Sequence, residues 1–382
     1  MISLRSATPT PPIMLWLCIR VLSIAVALLA FFISPDAERS AYPWKILAPW
    51  YSWDAHYYVD IVKNGYVPGR ATANFHPLYP WLSSIVALII REPLLSLLLV
   101  ASLAGLLLTM AFYRLAKLDC DEAQSRQATA LMLLFPASLA IYVPYTESLF
   151  LLLSVCCFLA GRQKRFWLAG LAGCLATLTR QQGIFLAVPL AWEAWESSDR
   201  DWTRTLKRLL AIALVPAGYG AWILYRALVI NEVNPDFSSA NRFIYSVMLS
   251  PTTYEIRDKQ QFLPPWVAMW RAIKTLFRVD IYPAAYIDAV LGIVFISMFV
   301  LAWRHLRMSY RIYSLIIIVV SLSFFTGDYN PYVSLPRHML LAFPVFIGCA
   351  IRFRRPLRLL MVVFAITQMA LLCVFVRQWW VL

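Results

Sequence analysis

Apolar residues run along this chain in long blocks, and short polar clusters separate the blocks. The first block, Ile13 to Ile33, has about the length that crosses a bilayer core. It exceeds a typical signal-peptide core and no small-x-small cleavage site follows it, so it reads as a retained helix over about 13–33, closed by Ser34-Pro35-Asp36. Further spans are expected at about 93–116, 127–142 and 146–160, then as a Pro/Gly-broken pair at about 166–178 and 182–195. More follow at about 207–229, 282–303, 311–326, 337–351 and 358–376, for about eleven in all. The segment at about 78–90 is too short to span before Arg91-Glu92-Pro93 and is expected to lie at or partly in the interface. Two stretches with one aromatic face, about 53–64 and 266–278, are expected as interfacial helices. The pattern predicts an all-α polytopic membrane protein, a single integral domain over 1–382 with long loops at 34–92 and 230–281.

Composition agrees with this pattern. The 382 residues are 61% hydrophobic and 14% charged, against about 25% charged in soluble domains. The seven cysteines fall almost entirely in apolar blocks, without CxxC spacing, and read as small apolar filler.

The net charge of +14 changes meaning once it is placed on the blocks. Lys and Arg concentrate at Arg114/Lys117/Arg126, Arg162/Lys164/Arg165, Arg200/Arg204/Lys207/Arg208, Arg304/Arg307/Arg311 and Arg352/Arg354/Arg355/Arg358. With Arg5 and Arg20 these put about +12 on one side of the membrane and leave about +2 on the other. Basic short loops mark the cytoplasmic side. The charge is therefore a topology signal and not a nucleic-acid footprint. The N-terminus is placed in the cytoplasm, and both long loops outside.

The outer side then collects the chemistry-bearing residues. Trp53-Asp54-Ala55-His56-Tyr57-Tyr58 leads, with Asp60 close behind. An Asp in such a loop is commonly a cap, and Ser52 or Asp54 is placed to cap the 53–64 helix. The alternative is a general base, because partial desolvation beside Trp53 raises the basicity of a carboxylate. His56 and Asp60, four apart, share a helical face. They read as a carboxylate-oriented imidazole, as half of a metal site, or as a surface pair. The aromatics around them, Tyr57 included, read as an interfacial belt or as sugar-stacking rings.

Three further groups share that side. Glu147 follows Pro144-Tyr145-Thr146 at the outer end of a span, and Arg180-Gln181 sits between two half-length segments. Ionisable groups at membrane depth mark functional sites by default, with a structural Arg–Glu pair as the plainer reading. Arg337-His338 starts an apolar helix, where a guanidinium can grip phosphate bidentately or simply snorkel to the surface. No GxxxxGK[ST] or GxGxxG run is present, so nucleotide use has no motif behind it.

These residues carry a resemblance. Trp53-Asp54-Ala55-His56-Tyr57-Tyr58 with Gly65-Tyr66, then Phe75-His76-Pro77-Leu78-Tyr79-Pro80, resembles the PIG-V type of mannosyltransferase. Tyr145-Thr146-Glu147-Ser148-Leu149-Phe150, Leu178-Thr179-Arg180 with Gly183, and Pro336-Arg337-His338 with Phe343-Pro344 follow in the family's order. The resemblance implies a GT-C architecture and a polyprenyl-phosphate-linked sugar donor. It implies transfer, mannose first among the sugars, to a lipid or glycan acceptor on the outer face, with inversion. Asp54 is then the candidate base with His56 beside it, and Arg180 and Arg337 are candidates for the lipid phosphate. Trp53, Tyr57, Asp60, His76, Tyr145, Glu147, Gln181 and His338 are expected around the substrates. His76 stands where relatives often have a second Phe, and His338 where many have Tyr. The compact chain resembles the prokaryotic members, which places it in a bacterial inner membrane. No cofactor is expected, with a divalent metal left open; the partners are the lipid-linked donor, the acceptor and membrane lipids, and no nucleic acid. The competing reading is a transporter or flippase of a lipid-linked or polar solute, which would favour repeats and midplane charges over groups gathered near one face.

Overall fold

The computed structural model describes residues 11–33, 42–199, 201–233, 235–239, 242–243, 246–247, 261–278, 280–353 and 357–378. Parts of the two long loops expected on the outer side, the Ser34-Pro35-Asp36 stop, and Arg5, Arg200, Arg354 and Arg355 of the basic clusters lie outside these residues.

Helices form where the apolar blocks predict them, and their ends follow local chemistry. α1 covers Pro11–Ile33 and α2 covers Asp54–Asn64. α3 covers Leu78–Ile90, thirteen residues, and α4 covers Pro93–Ala116. The break between them is set by Glu92, whose side chain caps α4 at Leu95 N, with Pro93 at the first helical position. α5, Glu122–Leu134, opens on a capping box of Asp121 and Gln124. α6, α7 and α8 are Glu147–Arg162, Phe166–Thr179 and Ala187–Glu196. α9, Trp202–Ile212, and α10, Leu214–Tyr225, continue as one rod into a π turn at Arg226–Ile230. α11 is Pro265–Thr275, α12 Pro283–Ala302 and α13 Met308–Ser323. α14, Leu335–Leu340, α15, Pro344–Arg352, and α16, Arg358–Val376, complete the set. One two-residue ladder, β1 (Gln261–Phe262) antiparallel to β2 (Phe324–Phe325), ties α11 to the end of α13.

The protein is an integral membrane protein. Among the described residues, five helices are long and apolar enough to cross a bilayer: Pro12–Ile33, Pro93–Ala116, Trp202–Ile230, Pro283–His305 and Arg358–Val376. Their outer faces keep large apolar side chains uncovered, such as Val21, Leu29, Phe32, Leu359 and Ile366, as lipid contact requires. Two expected spans are broken. The 127–142 block stops as an α-helix at Leu134 and continues as a 3₁₀ turn, Pro136–Ile141. The 337–351 block divides at Phe343-Pro344. In both places a proline withdraws an N–H and crowds the preceding turn. The 182–195 block likewise begins as a 3₁₀ turn, Gln181–Leu186.

α6 runs through the centre of the packing. Phe158 on it meets Tyr310, Tyr313 and Phe343 edge-on, with ring centroids 5.4, 5.3 and 5.7 Å apart. α7 lies so close to the α9–α10 rod that a Cβ on Gly170 would sit 2.0 Å from the Ala211 carbonyl oxygen. The far end of α6 carries Arg162, which donates to Asp119 at 2.9 Å and to Tyr310. The near end carries Glu147. A helix of sixteen residues, about 24 Å long, thus separates a basic short-loop end from the end holding the candidate site. Arg20, counted with the basic end, lies instead at mid-helix in α1 and donates to the Tyr142 carbonyl. It is a half-buried bond to the end of the 3₁₀ break, because Pro136 and the turn after it leave carbonyls without helical partners.

Candidate active site

Asp54 is the first residue of α2, and Trp53 before it holds φ +55° and ψ −122°, a costly backbone state for a non-glycine residue. Neither Ser52 nor Asp54 caps the helix, contrary to the local expectation; the N-cap position is Trp53 and it has no side-chain cap bond. Asp54 instead accepts from Arg337 Nη2 at 2.8 Å. Tertiary pairing has taken the carboxylate that local geometry would have spent on a cap.

Arg337 lies in α14, and its Nε donates to Glu147 Oε1. The same oxygen accepts from Arg180 Nη1, which also donates to Thr146 Oγ1 at 2.9 Å. The ring of Tyr145 lies under the Arg337 guanidinium, 4.4 Å from its centroid. The result is a chain of alternating charge, Asp54–Arg337–Glu147–Arg180, formally neutral with two carboxylates and two guanidiniums. Its exposure is graded. The Glu147 side chain is fully buried, Arg337 is 7% exposed and Arg180 11%, while Asp54 is 23% exposed. Asp54 is the member open to a second reactant. Glu147 Oε2 and Arg180 Nε have no hydrogen-bond partner among the described residues.

A cavity of about 330 Å³ adjoins this chain. Gln181, Gln182, Tyr219 and His338 supply polar groups to its wall, and Phe262, Ile317, Val320, Phe324, Tyr332 and Leu335 supply most of the rest. Gln181 follows Arg180 and His338 follows Arg337, so two separate elements each carry a charged-chain arginine next in sequence to a residue of the cavity wall, while the guanidiniums themselves turn to Glu147 and Asp54. Expectation had named Gln181 and His338. Gln182, Tyr219, Phe262 and Tyr332 were missed, because within an apolar block nothing distinguishes a cavity-facing ring from a packed one.

Other expected residues sit elsewhere. His56 and Asp60 do not pair. His56 Nε2 contacts the Tyr51 carbonyl at 3.0 Å and its ring stacks on Tyr51, whereas Asp60 accepts from Asn64 at 2.6 Å and pairs with Arg70 at 3.1 Å. Sharing a face placed them near each other, but each had a closer partner. Among the described residues no three His, Cys, Asp or Glu side chains come together as a metal-binding group. Tyr57, 41% exposed, stacks on Phe75. His76 faces inward, is not part of the cavity wall, and bonds through Nδ1 to the Thr177 carbonyl at 2.7 Å. Burial pushes its proton affinity down to about 3, so the imidazole is neutral at neutral pH.

A family model described as mannosyltransferase (PIG-V) matches residues 15–200. Over that stretch the chain is similar to the PIG-V mannosyltransferases. The match takes in Asp54, His76, Glu147 and Arg180 and stops short of Arg337 and of the far cavity wall. GPI mannosyltransferase 2 of Schizosaccharomyces pombe is 32% identical over 144 residues, which is 36% of this chain and 31% of that protein. The chain therefore aligns to about a third of that relative's length. Among solved structures, ArnT from Cupriavidus metallidurans bound to undecaprenyl phosphate aligns at 16% identity and TM-score 0.48, covering 86% of this chain and 59% of that one. The archaeal oligosaccharyltransferase AglB from Archaeoglobus fulgidus, in complex with an inhibitory peptide and a dolichol-phosphate, aligns at 13% identity and TM-score 0.44, covering 95% and 56%. No residue role follows from a likeness of this level.

Proposed function

We propose that the protein is a membrane glycosyltransferase that moves a sugar, mannose in the first instance, from a polyprenyl-phosphate-linked donor to a lipid or glycan acceptor on the extracytoplasmic face. The observation that carries the reading is the graded chain, a solvent-reachable Asp54 at one end and the Arg180 guanidinium with an unpartnered Nε at the other, with a largely apolar cavity lined by the neighbouring residues Gln181 and His338. The PIG-V match over the stretch holding three of the four residues supports the same class.

In this reading the acceptor hydroxyl loses its proton to Asp54 as its oxygen bonds the anomeric carbon. The bond from that carbon to the phosphate oxygen breaks on the opposite face, so configuration inverts. The departing lipid phosphate gains negative charge, which Arg180, and Arg337 behind it, stabilise. Arg337 also fixes the Asp54 carboxylate, so the base is oriented before the acceptor arrives. Each step uses the protein's own residues, none a divalent metal, and transfer that persists in EDTA checks this.

The test is sugar transfer in vesicles by wild type and Asp54→Asn with polyprenyl-phosphate-mannose and candidate acceptors. General-base loss should lower kcat by about 10²–10⁴-fold while donor binding stays. Equal turnover by both proteins removes Asp54 from the role. Movement of substrate across the vesicle without transfer by wild type replaces the enzyme with a transporter.

A further inference from the structure

Phe75 and His76 are neighbours in sequence and pack in opposite directions. Phe75 takes the rings of Tyr57 and Tyr58, both on α2, with centroids 4.9 and 5.0 Å away. Its carbonyl accepts from the Tyr66 hydroxyl at 2.9 Å. These contacts fasten it to the helix that begins with Asp54. His76 reaches across to α7. Its Nδ1 donates to the Thr177 carbonyl at 2.7 Å, a bond between residues 101 apart in sequence. A carbonyl only accepts, so the proton sits on Nδ1. The ring is stacked on Tyr219 at 5.9 Å and lies 5.8 Å from Trp222, both on α10.

Thr177 belongs to the last turn of α7, where carbonyls run out of intrahelical donors. Arg180 leaves that turn in extended conformation, with φ −154°. The 3₁₀ turn that follows folds back tightly: Gly183 N donates to the Arg180 carbonyl at 3.0 Å, and a Cβ on Gly183 would lie 2.4 Å from Thr177 N. The direction of the Arg180 side chain is thus set by a turn packed onto the backbone of Thr177 at its N–H side. The carbonyl of the same residue is held from outside its own helix by His76.

We infer that His76 is a positioning residue: with Phe75 anchored on α2, it clamps the turn that presents Arg180 and so fixes the spacing between Arg180 and Asp54. The inference rests on the glycosyltransferase reading for the roles of those two residues. The ring is neutral at neutral pH, so the clamp acts through a fixed N–H and not through charge.

The experiment uses the full chain in lipid nanodiscs and compares wild type, His76→Phe, His76→Asn, Arg180→Ala and the double variant His76→Phe/Arg180→Ala. Phe keeps the ring and loses the N–H; Asn supplies a short side-chain N–H. Displacing the turn should lower kcat for sugar transfer from polyprenyl-phosphate-mannose by roughly 10–100-fold in His76→Phe. His76→Asn should recover to within about threefold of wild type. The double variant should match Arg180→Ala alone, because one loss acts through the other. A mere loss of folded protein would multiply the two losses and would overturn the inference. Hydrogen exchange at residues 177–183 gives a readout that needs no substrate: it should quicken about tenfold or more in His76→Phe and not in His76→Asn. Unchanged exchange in His76→Phe also overturns the clamp. If wild type transfers no sugar from any polyprenyl-phosphate donor, the glycosyltransferase reading fails by itself, and the exchange measurement still decides whether His76 holds the turn.

Discussion

Glu147→Gln is the sharpest perturbation of the charged chain. Glu147 is wholly buried, and one of its oxygens serves both guanidiniums. Its removal takes from Arg180, 11% exposed, its ion-pair partner and leaves Arg337, 7% exposed, with Asp54 alone. Two unit charges about 4 Å apart interact by about 4 kcal/mol at an effective dielectric of 20, and breaking one partner of a buried pair costs about 3–5 kcal/mol. Gln keeps a carbonyl that one guanidinium can still use, so the lower end, about 3 kcal/mol, is expected. For a chain of this size that corresponds to a fall in Tm of about 4 °C. The substitution also turns a formally neutral cluster into one with a net positive charge. An anion bound there should then stabilise the variant more than the wild type. The assay is thermal unfolding of both proteins in nanodiscs, with and without polyprenyl phosphate. A Tm within about 1 °C of wild type would refute the account of Glu147 as the buried counter-charge, and so would a larger lipid-phosphate shift in wild type than in Glu147→Gln.

Three other outcomes follow from the same structure. His76 binds a proton near pH 3 when folded and near its ordinary 6.5 when unfolded; below 6.5 the unfolded chain holds the extra proton, so stability falls as pH falls through this window by up to about 1.4 kcal/mol per pH unit from this group. Chemical denaturation of wild type and His76→Phe at pH 7 and pH 5 should show a smaller loss in the variant; equal losses would reject it. Gly183→Ala forces a Cβ against the α7 backbone at 2.4–2.6 Å, so folded yield should drop, with a cost of about 1–3 kcal/mol, seen as a lower Tm. Val320→Trp fills the cavity from α13; polyprenyl-phosphate binding should weaken at least tenfold while Tm changes by under about 2 °C, and unaltered binding would place the lipid phosphate elsewhere.

Most of the elements were legible because hydropathy, proline and caps act locally. The span at Pro93–Ala116 was readable from Glu92-Pro93 and the apolar run behind them, and the short α3 from its length alone. The broken spans at Pro136 and Pro344 carried their signal too, but a hydropathy average passes over a single missing N–H.

The candidate site divides differently. Asp54, Glu147, Arg180 and Arg337 stood out one by one as ionisable groups in or beside apolar sequence. Their order did not. Arg337 lies 190 residues from Glu147 and 283 from Asp54, and no local periodicity encodes which carboxylate it meets. The local rules even pointed wrongly for His56 and Asp60, which share a face and still bond to other groups. Sequence alone determined a membrane-embedded helical chain and the residue types gathered at one end, because burial in lipid is decided residue by residue. Only the tertiary structure decided which charges neutralise each other, that Asp54 is the one left open, and that His76 turns inward to a carbonyl. Those outcomes depend on distances between elements, and a desolvated charge accepts whichever partner the packing brings within reach.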